Sequence, residues 1–269
     1  MNERIKYAIR GSAETVFGRP VFGRLGRLMA LALLGAILAG CAGSDEEENA
    51  MLRDVAKAYE TAQRSMENQN YRRAIQIYEA LQARFPFSDL STQIHLELMY
   101  AYYKSARQEQ AIDAADTFMR ENPTHPRVDY ALYIKALAYF ERDPGLLERW
   151  FNKEIDNRPP RDGALSFSLL KRLVERYPAS PYAEDARQRM IFLKNRLAAY
   201  ENSVAKYYLE RGAYVAALNR AKSALEEYNG ANGNRESLGI MIDAYKGLGM
   251  NDLAADARQV LRSNFPGES

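Results

Sequence analysis

The sequence is poor in the residues that build covalent cross-links and metal sites. Its 269 residues include one cysteine, Cys41, which excludes an intramolecular disulfide and a multi-cysteine zinc site. With two histidines, His95 and His125, histidine-rich metal chemistry is not expected. We also find no glycine-rich phosphate loop, no nucleophile elbow and no HExxH motif. We therefore predict no catalytic residue, no metal site and a protein that is not an enzyme.

A long apolar run covers residues 28–37, which is too short to span a membrane, since a spanning helix takes about 20 apolar residues. Arg24 and Arg27 precede the run, and small residues follow it, as is typical of an export signal. Residues 1–40 are therefore predicted to be a lipoprotein signal peptide. The segment before Arg24 is long for the basic end of a signal, so we expect the true start codon downstream, for example at Val21.

The run ends in Leu38-Ala39-Gly40-Cys41, which resembles the bacterial lipobox. This resemblance implies that Cys41 becomes the mature N-terminus, with diacylglycerol on its sulfur and an acyl chain such as palmitate on its amino group. Several acyl chains anchor a protein stably, whereas a single chain binds a membrane only marginally. A buried or free cysteine is the alternative. No cofactor other than this covalent lipid is expected.

The residues after Cys41 indicate the membrane to which the protein is sorted and a linker that follows the lipid anchor. Ala42 stands where retention in the inner membrane typically uses aspartate, so the resemblance implies the outer membrane. Residues 41–53, which include an acidic run at 45–48, are predicted to form a flexible tether.

Removal of the signal peptide changes the charge of the protein. Residues 1–40 contain six basic and two acidic residues, so the mature part has 31 basic and 33 acidic residues and a net charge of −2. The basic pI near 8.5 thus belongs to the signal, and we expect no nucleic-acid partner.

The helical pattern is clearest between Asn70 and Pro86. Apolar residues recur there every three or four positions, which places them on one face of a helix that the proline ends. A small residue, an aromatic residue four positions later and a closing proline resemble the second helix of a tetratricopeptide (TPR) repeat. Ala74 and Ala111, and again Ala217 and Ala254, are 37 residues apart, close to the TPR period of about 34.

We predict an all-α fold, an α-solenoid of about five TPR-like helical hairpins. Repeats 1–3 are assigned to residues 54–180, with an insertion at about 142–163 between the two helices of repeat 3, and repeats 4–5 to residues 181–269. A stretch from Ala183 to about Glu210 is one long helix linking the two groups, or two helices joined by a turn that the sequence does not mark.

Stacked hairpins bury faces that a single hairpin cannot bury, and they leave a surface lined by the first helix of each repeat. Small residues are predicted to let helices approach closely at Ala74, Ala111, Ser166, Ala217 and Ala254. Larger residues are predicted to fill the spaces between hairpins at Tyr78, Phe118, Leu170, Leu173 and Leu261.

Aromatic residues are concentrated in the first helices of repeats 1–3. Six fall at or near inward-facing positions: Tyr59, Tyr100, Tyr103, Tyr130, Tyr133 and Phe140. Tyrosine combines a large apolar area with a hydroxyl group, which suits peptide recognition. We predict a peptide-binding groove at these residues, with ordinary packing inside the repeats as the alternative.

From Cys41 to Pro266 the chain resembles the BamD family, also called ComL, of TPR lipoproteins. Its specific parts are residues 70–86, 176–182 and 192–201, and the most telling is the run at residues 203–220. The resemblance implies a non-enzymatic scaffold of the outer-membrane β-barrel assembly complex, on the periplasmic face of the outer membrane. Its implied partners are the POTRA modules of a BamA-like barrel protein, other Bam lipoproteins and unfolded outer-membrane proteins, besides the membrane that holds the lipid anchor. Arg220 matches a family arginine at the BamA contact.

Two other functions remain open from the sequence. A different TPR lipoprotein, an adaptor for peptidoglycan or envelope-division machinery, would share the anchor and the repeats but bind hydrolases or synthases. A lipid-anchored enzyme is the third possibility, and no catalytic constellation supports it.

Overall fold

The computed structural model describes residues 42–88, 90–142 and 160–266, and within them every regular element is a helix. The helices are α1 (Ala42–Glu67), α2 (Tyr71–Arg84), α3 (Ser91–Lys104), α4 (Gln108–Glu121), α5 (Val128–Arg142), α6 (Arg161–Arg176), α7 (Ala183–Glu210), α8 (Tyr214–Glu227), α9 (Asn234–Gly247) and α10 (Asn251–Asn264). They pair in chain order as five hairpins, which confirms the predicted all-α solenoid. The helices from Lys57 onward pack as one compact unit, and the division between residues 180 and 181 stays a prediction.

The predicted flexible tether is wrong from Ala42 onward, because these residues begin helix α1. The acidic run at residues 45–48 lies in the first turns of this helix. Acidic residues are favourable in the first turns of a helix, because the positive end of the helix dipole lies there. Ala50, Met51 and Leu52 follow, and all three have high helix propensity. The position of the acidic run therefore favours the start of a helix, although its composition had indicated a flexible segment.

The turns inside four hairpins share one backbone geometry. The residue two positions before the second helix has a positive φ: 58° at Gln69, 59° at Ala106, 70° at Gly212 and 72° at Gly249. Glycine adopts this left-handed conformation freely, whereas other residues are strained in it. In the first hairpin the next residue, Asn70, also caps helix α2, since its Oδ1 accepts a hydrogen bond from the backbone N–H of Arg73.

The residues predicted to lie between helices are mostly buried as expected. The five small positions, from Ala74 to Ala254, are between 0% and 2% exposed, and Tyr78, Phe118, Leu170 and Leu173 are fully buried. Leu261 is the exception, because it is only partly buried. It lies on α10, the last described helix, so no further described hairpin covers it.

The stretch from Ala183 to Glu210 is a single helix, α7, which settles the alternative of two helices. Leu193 and Leu197 in its first half pack in a core with α5 and α6, and Ala205 in its second half packs in another core with α8 and α9. The fully buried Asn202 lies between these contacts. Its Nδ2 donates a hydrogen bond to the carbonyl oxygen of Gly233, 2.8 Å away. One helix thus takes part in two cores.

The predicted insertion at 142–163 lies mostly outside the described residues. Helix α5 continues to Arg142 and α6 begins at Arg161, three residues before the start expected from the sequence. Residues 143–159, including Trp150 and Phe151, are not described. Among the described helices, none has the length and apolar character needed to cross a lipid bilayer.

Candidate peptide-binding face

Five of the six predicted groove residues lie on one surface, formed by the first helices α3, α5 and α7. Helix α3 contributes Tyr100 and Tyr103, and α5 contributes Tyr130, Tyr133 and Phe140. Residues three, four and seven positions apart share one side of a helix, which explains this alignment. All five are half-buried, and the four tyrosines rest on a core of larger side chains that includes Leu96, Met99, Ile134 and Leu137. We call these five residues the aromatic face.

Tyr133 connects the aromatic face to helix α7. Its ring stacks on the ring of Tyr182, with centroids 4.7 Å apart and planes inclined by 16°. Its hydroxyl donates a hydrogen bond to Oδ2 of Asp185 at 2.6 Å. The ring of Tyr130 also contacts Tyr182, at 5.6 Å between centroids. The phenol rings of the third hairpin are therefore held in place by partners at the start of the fourth.

The other end of the face combines an arginine with aromatic rings. The guanidinium carbon of Arg189 lies 4.9 Å from the ring centre of Phe140, a cation–π arrangement, and its Nε donates to Asp185. The opposite partner of Phe140 is Phe192, with centroids 5.9 Å apart. Tyr103 donates its hydroxyl to Glu141 on α5. The face is thus apolar in area but edged by charges of both signs.

The titration of these groups follows from their surroundings. Burial, and then the hydrogen bond to Asp185, raises the pKa of Tyr133 to about 12. Burial is also the main cause of the raised pKa of Tyr103 and of Tyr130. Burial alone would raise the pKa of Asp185, but hydrogen bonds from Arg189 and Tyr133 outweigh it, so this pKa is lowered. At neutral pH the phenols therefore keep their protons as donors.

A cavity of about 280 Å³ adjoins Tyr130 at one end of the face. Arg127 lines it, with its guanidinium carbon 4.6 Å from the ring centre of Tyr130 and its Nη2 3.4 Å from the hydroxyl of Tyr182. Within the described part of the chain Arg127 forms no ion pair, and Glu97 lines the same cavity. Arg127 was not among the residues predicted from the sequence. It lies directly before helix α5, and its position three residues before Tyr130 is the signal that could have indicated it.

Tyr59, the sixth predicted groove residue, lies in the first hairpin. Its ring packs against Tyr78 on α2, with centroids 5.9 Å apart. Burial raises the pKa of Tyr59, and the nearby charge of Glu97 raises it further. Glu97 also lines the cavity beside Tyr130, which we call the arginine cavity after Arg127, but Tyr59 does not line it. Its described ring contact is with Tyr78 and not with the other five predicted residues.

The remaining predicted sites are separate from this face. Arg220, on α8, pairs with Glu201 on α7 at 3.1 Å, and its side chain remains 44% exposed. This pair raises the pKa of Arg220. Cys41 lies outside the described residues. His95 contacts Gln82, and no cluster of histidine, cysteine, aspartate and glutamate suited to a metal occurs in the described ranges.

The profile of the family described as "YfiO: Outer membrane lipoprotein" matches residues 52–261. The outer membrane protein assembly factor BamD of Neisseria gonorrhoeae is 40% identical over 237 residues, which cover 87% of this chain and 89% of that protein. The chain belongs to the BamD family. The resemblance drawn from the sequence is thereby confirmed. The BamD of Vibrio cholerae is 37% identical to this family member over 242 residues, 89% of this chain and 97% of that protein.

Solved structures are similar at a lower level. The crystal structure of MamA protein is 14% identical, with a TM-score of 0.34, and covers 80% of this BamD-family chain and 97% of the MamA chain. Repeats of a putative kinesin light chain from Podosopora anserina give a TM-score of 0.35 at 16% identity, over 78% of this chain and 93% of that one. These scores are too low to add to what the helices themselves show.

Proposed function

We propose that this chain is an outer membrane protein assembly factor, a non-enzymatic scaffold of the outer-membrane β-barrel assembly complex. Its relatives carry that name, and the family is described as an outer membrane lipoprotein. In this proposal the chain binds the POTRA modules of a BamA-like barrel protein and holds unfolded outer-membrane protein segments for insertion. Other Bam lipoproteins join the same assembly.

The anchor in this proposal is covalent lipid on Cys41, an S-diacylglycerol and an N-acyl chain, with no other cofactor. It would hold the repeats on the periplasmic face of the outer membrane. Two or more acyl chains suffice for stable anchoring without a spanning helix. Metabolic labelling with a palmitate analogue tests this step, and loss of the label in Cys41→Ser but not in Ser44→Ala is the expected result.

The aromatic face carries the peptide-binding part of the proposal. Its rings offer a continuous apolar surface. Hydrogen bonds from the tyrosine hydroxyls to Glu141 and Asp185 fix the orientation of the rings. An extended segment that ends in an aromatic residue would place its ring on this surface. Its terminal carboxylate would then pair with Arg127, which has no carboxylate partner among the described residues. Arginine binds carboxylates through two parallel hydrogen bonds, which suits this role.

The test uses fluorescently labelled peptides with an aromatic last residue, made with a free carboxylate and with a terminal amide. The double substitution Tyr100→Ala and Tyr103→Ala is expected to weaken binding of both peptides, because it removes apolar contact area, while BamA binding is preserved. Arg127→Gln is expected to weaken only the free-carboxylate peptide, by about tenfold or more, since a hydrogen bond to a charged group contributes about 1.5–3 kcal/mol.

Tyr207→Ala is the matched control, because Tyr207 is half-exposed and lies in the distal part of α7. Unchanged peptide affinity in the double variant would remove the aromatic face from the proposal. Equal weakening of both peptides by Arg127→Gln would leave the face in place but reject the carboxylate pairing.

Arg220 is proposed to contact the BamA-like partner. Arg220→Glu is expected to lower co-purification of that partner while the helical circular dichroism stays unchanged. This variant also breaks the pair with Glu201, so Glu201→Gln is the control that breaks the pair and keeps the arginine. If Glu201→Gln lowers co-purification as much as Arg220→Glu does, the intramolecular pair matters and Arg220 is not a direct contact.

Affinity purification from solubilised outer membranes separates this function from its alternative. A roughly stoichiometric BamA-like barrel protein supports the proposal. Recovery of peptidoglycan hydrolases or synthases without a barrel protein would instead favour an adaptor for peptidoglycan or envelope-division machinery.

A further inference from the structure

A second cavity, of about 690 Å³, lies at the last two hairpins. Its walls come from α8, α10, the start of α9 and the loop between α8 and α9, and it shares no lining residue with the aromatic face or the arginine cavity. One part of the wall is apolar, formed mainly by Leu225, Leu238, Val260 and Phe265. No described residue that lines the cavity is charged, although 27% of the chain is.

Asn234 gives this cavity an unused hydrogen-bond acceptor. Its side chain is 6% exposed, and its Nδ2 donates to the backbone oxygen of Ala224 at 3.2 Å. That bond fixes the direction of the amide and leaves Oδ1 without a hydrogen-bond partner among the described residues. A buried acceptor without a donor is unfavourable, so a hydrogen-bond donor on a bound molecule would stabilise the complex by satisfying this oxygen.

The loop that forms one wall is held by contacts that leave its side chains available. Lys194 donates from Nζ to the backbone oxygen of Asn229 at 3.0 Å. The backbone N–H of Asn232 donates to Oδ1 of Asn195 at 2.8 Å. Both bonds use backbone atoms of the loop, so the side-chain amides of Asn229 and Asn232 stay exposed. The wall is therefore ordered before a ligand arrives, which lowers the entropy lost on binding.

We propose that this cavity binds a neutral, extended peptide segment of a protein partner. One apolar side chain of the segment lies against Leu225, Leu238 and Val260, and a backbone N–H of the segment donates to Oδ1 of Asn234. Asparagine amides both donate and accept, as a peptide backbone does. The inference does not rest on the proposed function.

The absence of charge in the wall excludes other ligands. A phosphate headgroup or a charged peptide would lose hydration without gaining an ionic partner. A saccharide could bond to the asparagine amides, but it would also place hydroxyl groups against the aliphatic part of the wall, where they lose hydration without a partner. A neutral peptide with an apolar side chain satisfies both parts of the wall.

The experiment uses the full lipidated chain in lipid nanodiscs and a library of acetylated, amidated hexapeptides built from uncharged residues. Retained peptides are identified by mass spectrometry, and their affinities are measured individually. Val260→Lys places an ammonium group in the wall and is expected to weaken binding at least about tenfold. Leu253→Lys is the matched control, because Leu253 lies on the same helix with a similar exposure, 45% against 47%, and does not line the cavity.

The acceptor is tested from the peptide side, since replacing Asn234 also removes its bond to Ala224. Each backbone N–H of the tightest peptide is methylated in turn, and one position is expected to weaken binding by about tenfold. In the Asn234→Leu variant, methylation at that position should no longer weaken binding, provided that the helical circular dichroism is retained. The proposal is overturned if no retained peptide depends on Val260, if both lysine variants weaken binding equally, or if a peptidoglycan disaccharide binds the cavity and the peptides do not.

Discussion

Hairpins two and three pack around large side chains, whereas hairpins four and five pack mostly around alanine. The first core contains Leu96, Met99, Phe118, Val128, Ile134 and Leu137. The second contains Ala205, Ala217, Ala221 and Ala244, with Ile240 as its one large buried member. Alanine lets helix backbones approach closely, so the second core depends on the distance between backbones. The first depends on how well large side chains fill the space between helices.

The difference extends to the surface of each region. The core of larger side chains carries the half-buried tyrosines of the aromatic face, which pack against it. The alanine core instead lies beside the polar contact of Asn202, which receives a hydrogen bond from Ser237 and donates to Gly233. The larger side chains thus support a partly exposed aromatic surface, whereas the alanine core lies beside a buried hydrogen-bonded contact.

Removing a large core side chain should have the largest effect. Phe118→Ala leaves a cavity at a fully buried position and is expected to lower the free energy of unfolding by about 3–5 kcal/mol. Urea unfolding followed by circular dichroism measures this loss. Leu253→Ala, at an exposed position, should change stability by less than about 0.5 kcal/mol. A loss near that of the control would mean that the first core does not depend on its large side chains.

Enlarging a close contact of the last hairpins should have the next largest effect. A Cβ at Gly247 would overlap the ring of Tyr214, whereas a Cβ at Gly239 on the same helix meets no heavy atom within 4 Å. Gly247→Ala is therefore expected to destabilise by about 1–3 kcal/mol. Gly239→Ala should stabilise by up to about 1 kcal/mol, because alanine favours helix. The same sign for both substitutions, measured by urea unfolding, would contradict close packing at Gly247.

The turns offer a smaller contrast between the two regions. Gly249→Ala places a side chain at a positive φ and should destabilise by about 1–2 kcal/mol. Ala106→Gly relieves the same strain in the second hairpin and should stabilise by up to about 1 kcal/mol, after the added freedom of the unfolded chain is counted. Thermal unfolding measures both. If Ala106→Gly destabilises, the turn at Ala106 is held by contacts that outweigh its strain.

The smallest expected effect concerns the titration of Asp185. Its pKa is lowered below the ordinary 3.8, so its contribution to stability is present above that value and is lost as the pH falls through the lower folded-state pKa. Tyr133→Phe removes one hydrogen bond and should raise this pKa, which makes the loss in acid smaller. Carbon NMR of the carboxyl group follows the pKa. Tyr139→Phe, on the same helix, is the control, and an equal shift in both variants would reject the role of Tyr133.

The sequence predicted the helices better than the site. Proline, glycine and the repeat of apolar residues marked most helix ends within three residues, and the bounds of α7 at Ala183 and Glu210 agree with the structure. The aromatic face was within reach because first-helix residues share one side. Arg127 and Asn234 were missed. The spacing of Arg127 from Tyr130 places it beside the face, but its contact with Tyr182 and the bond of Asn234 to Ala224 join parts of the chain that the sequence pattern does not bring together. The helix at residues 42–53 was missed because an acidic run was judged without its position.

Helix α7 also determines where the length of this chain can change. It rises about 1.5 Å per residue without interruption, and a turn takes 3.6 residues. Deleting one residue between Leu197 and Asn202 would therefore rotate everything that follows by about 100° relative to the first half of the helix. Ala205 would then leave its core, and Asn202 would lose its hydrogen bonds with Gly233 and Ser237, while Leu193 stays in its own core. Insertions and deletions should accumulate in the loops of this family and be excluded from this helix.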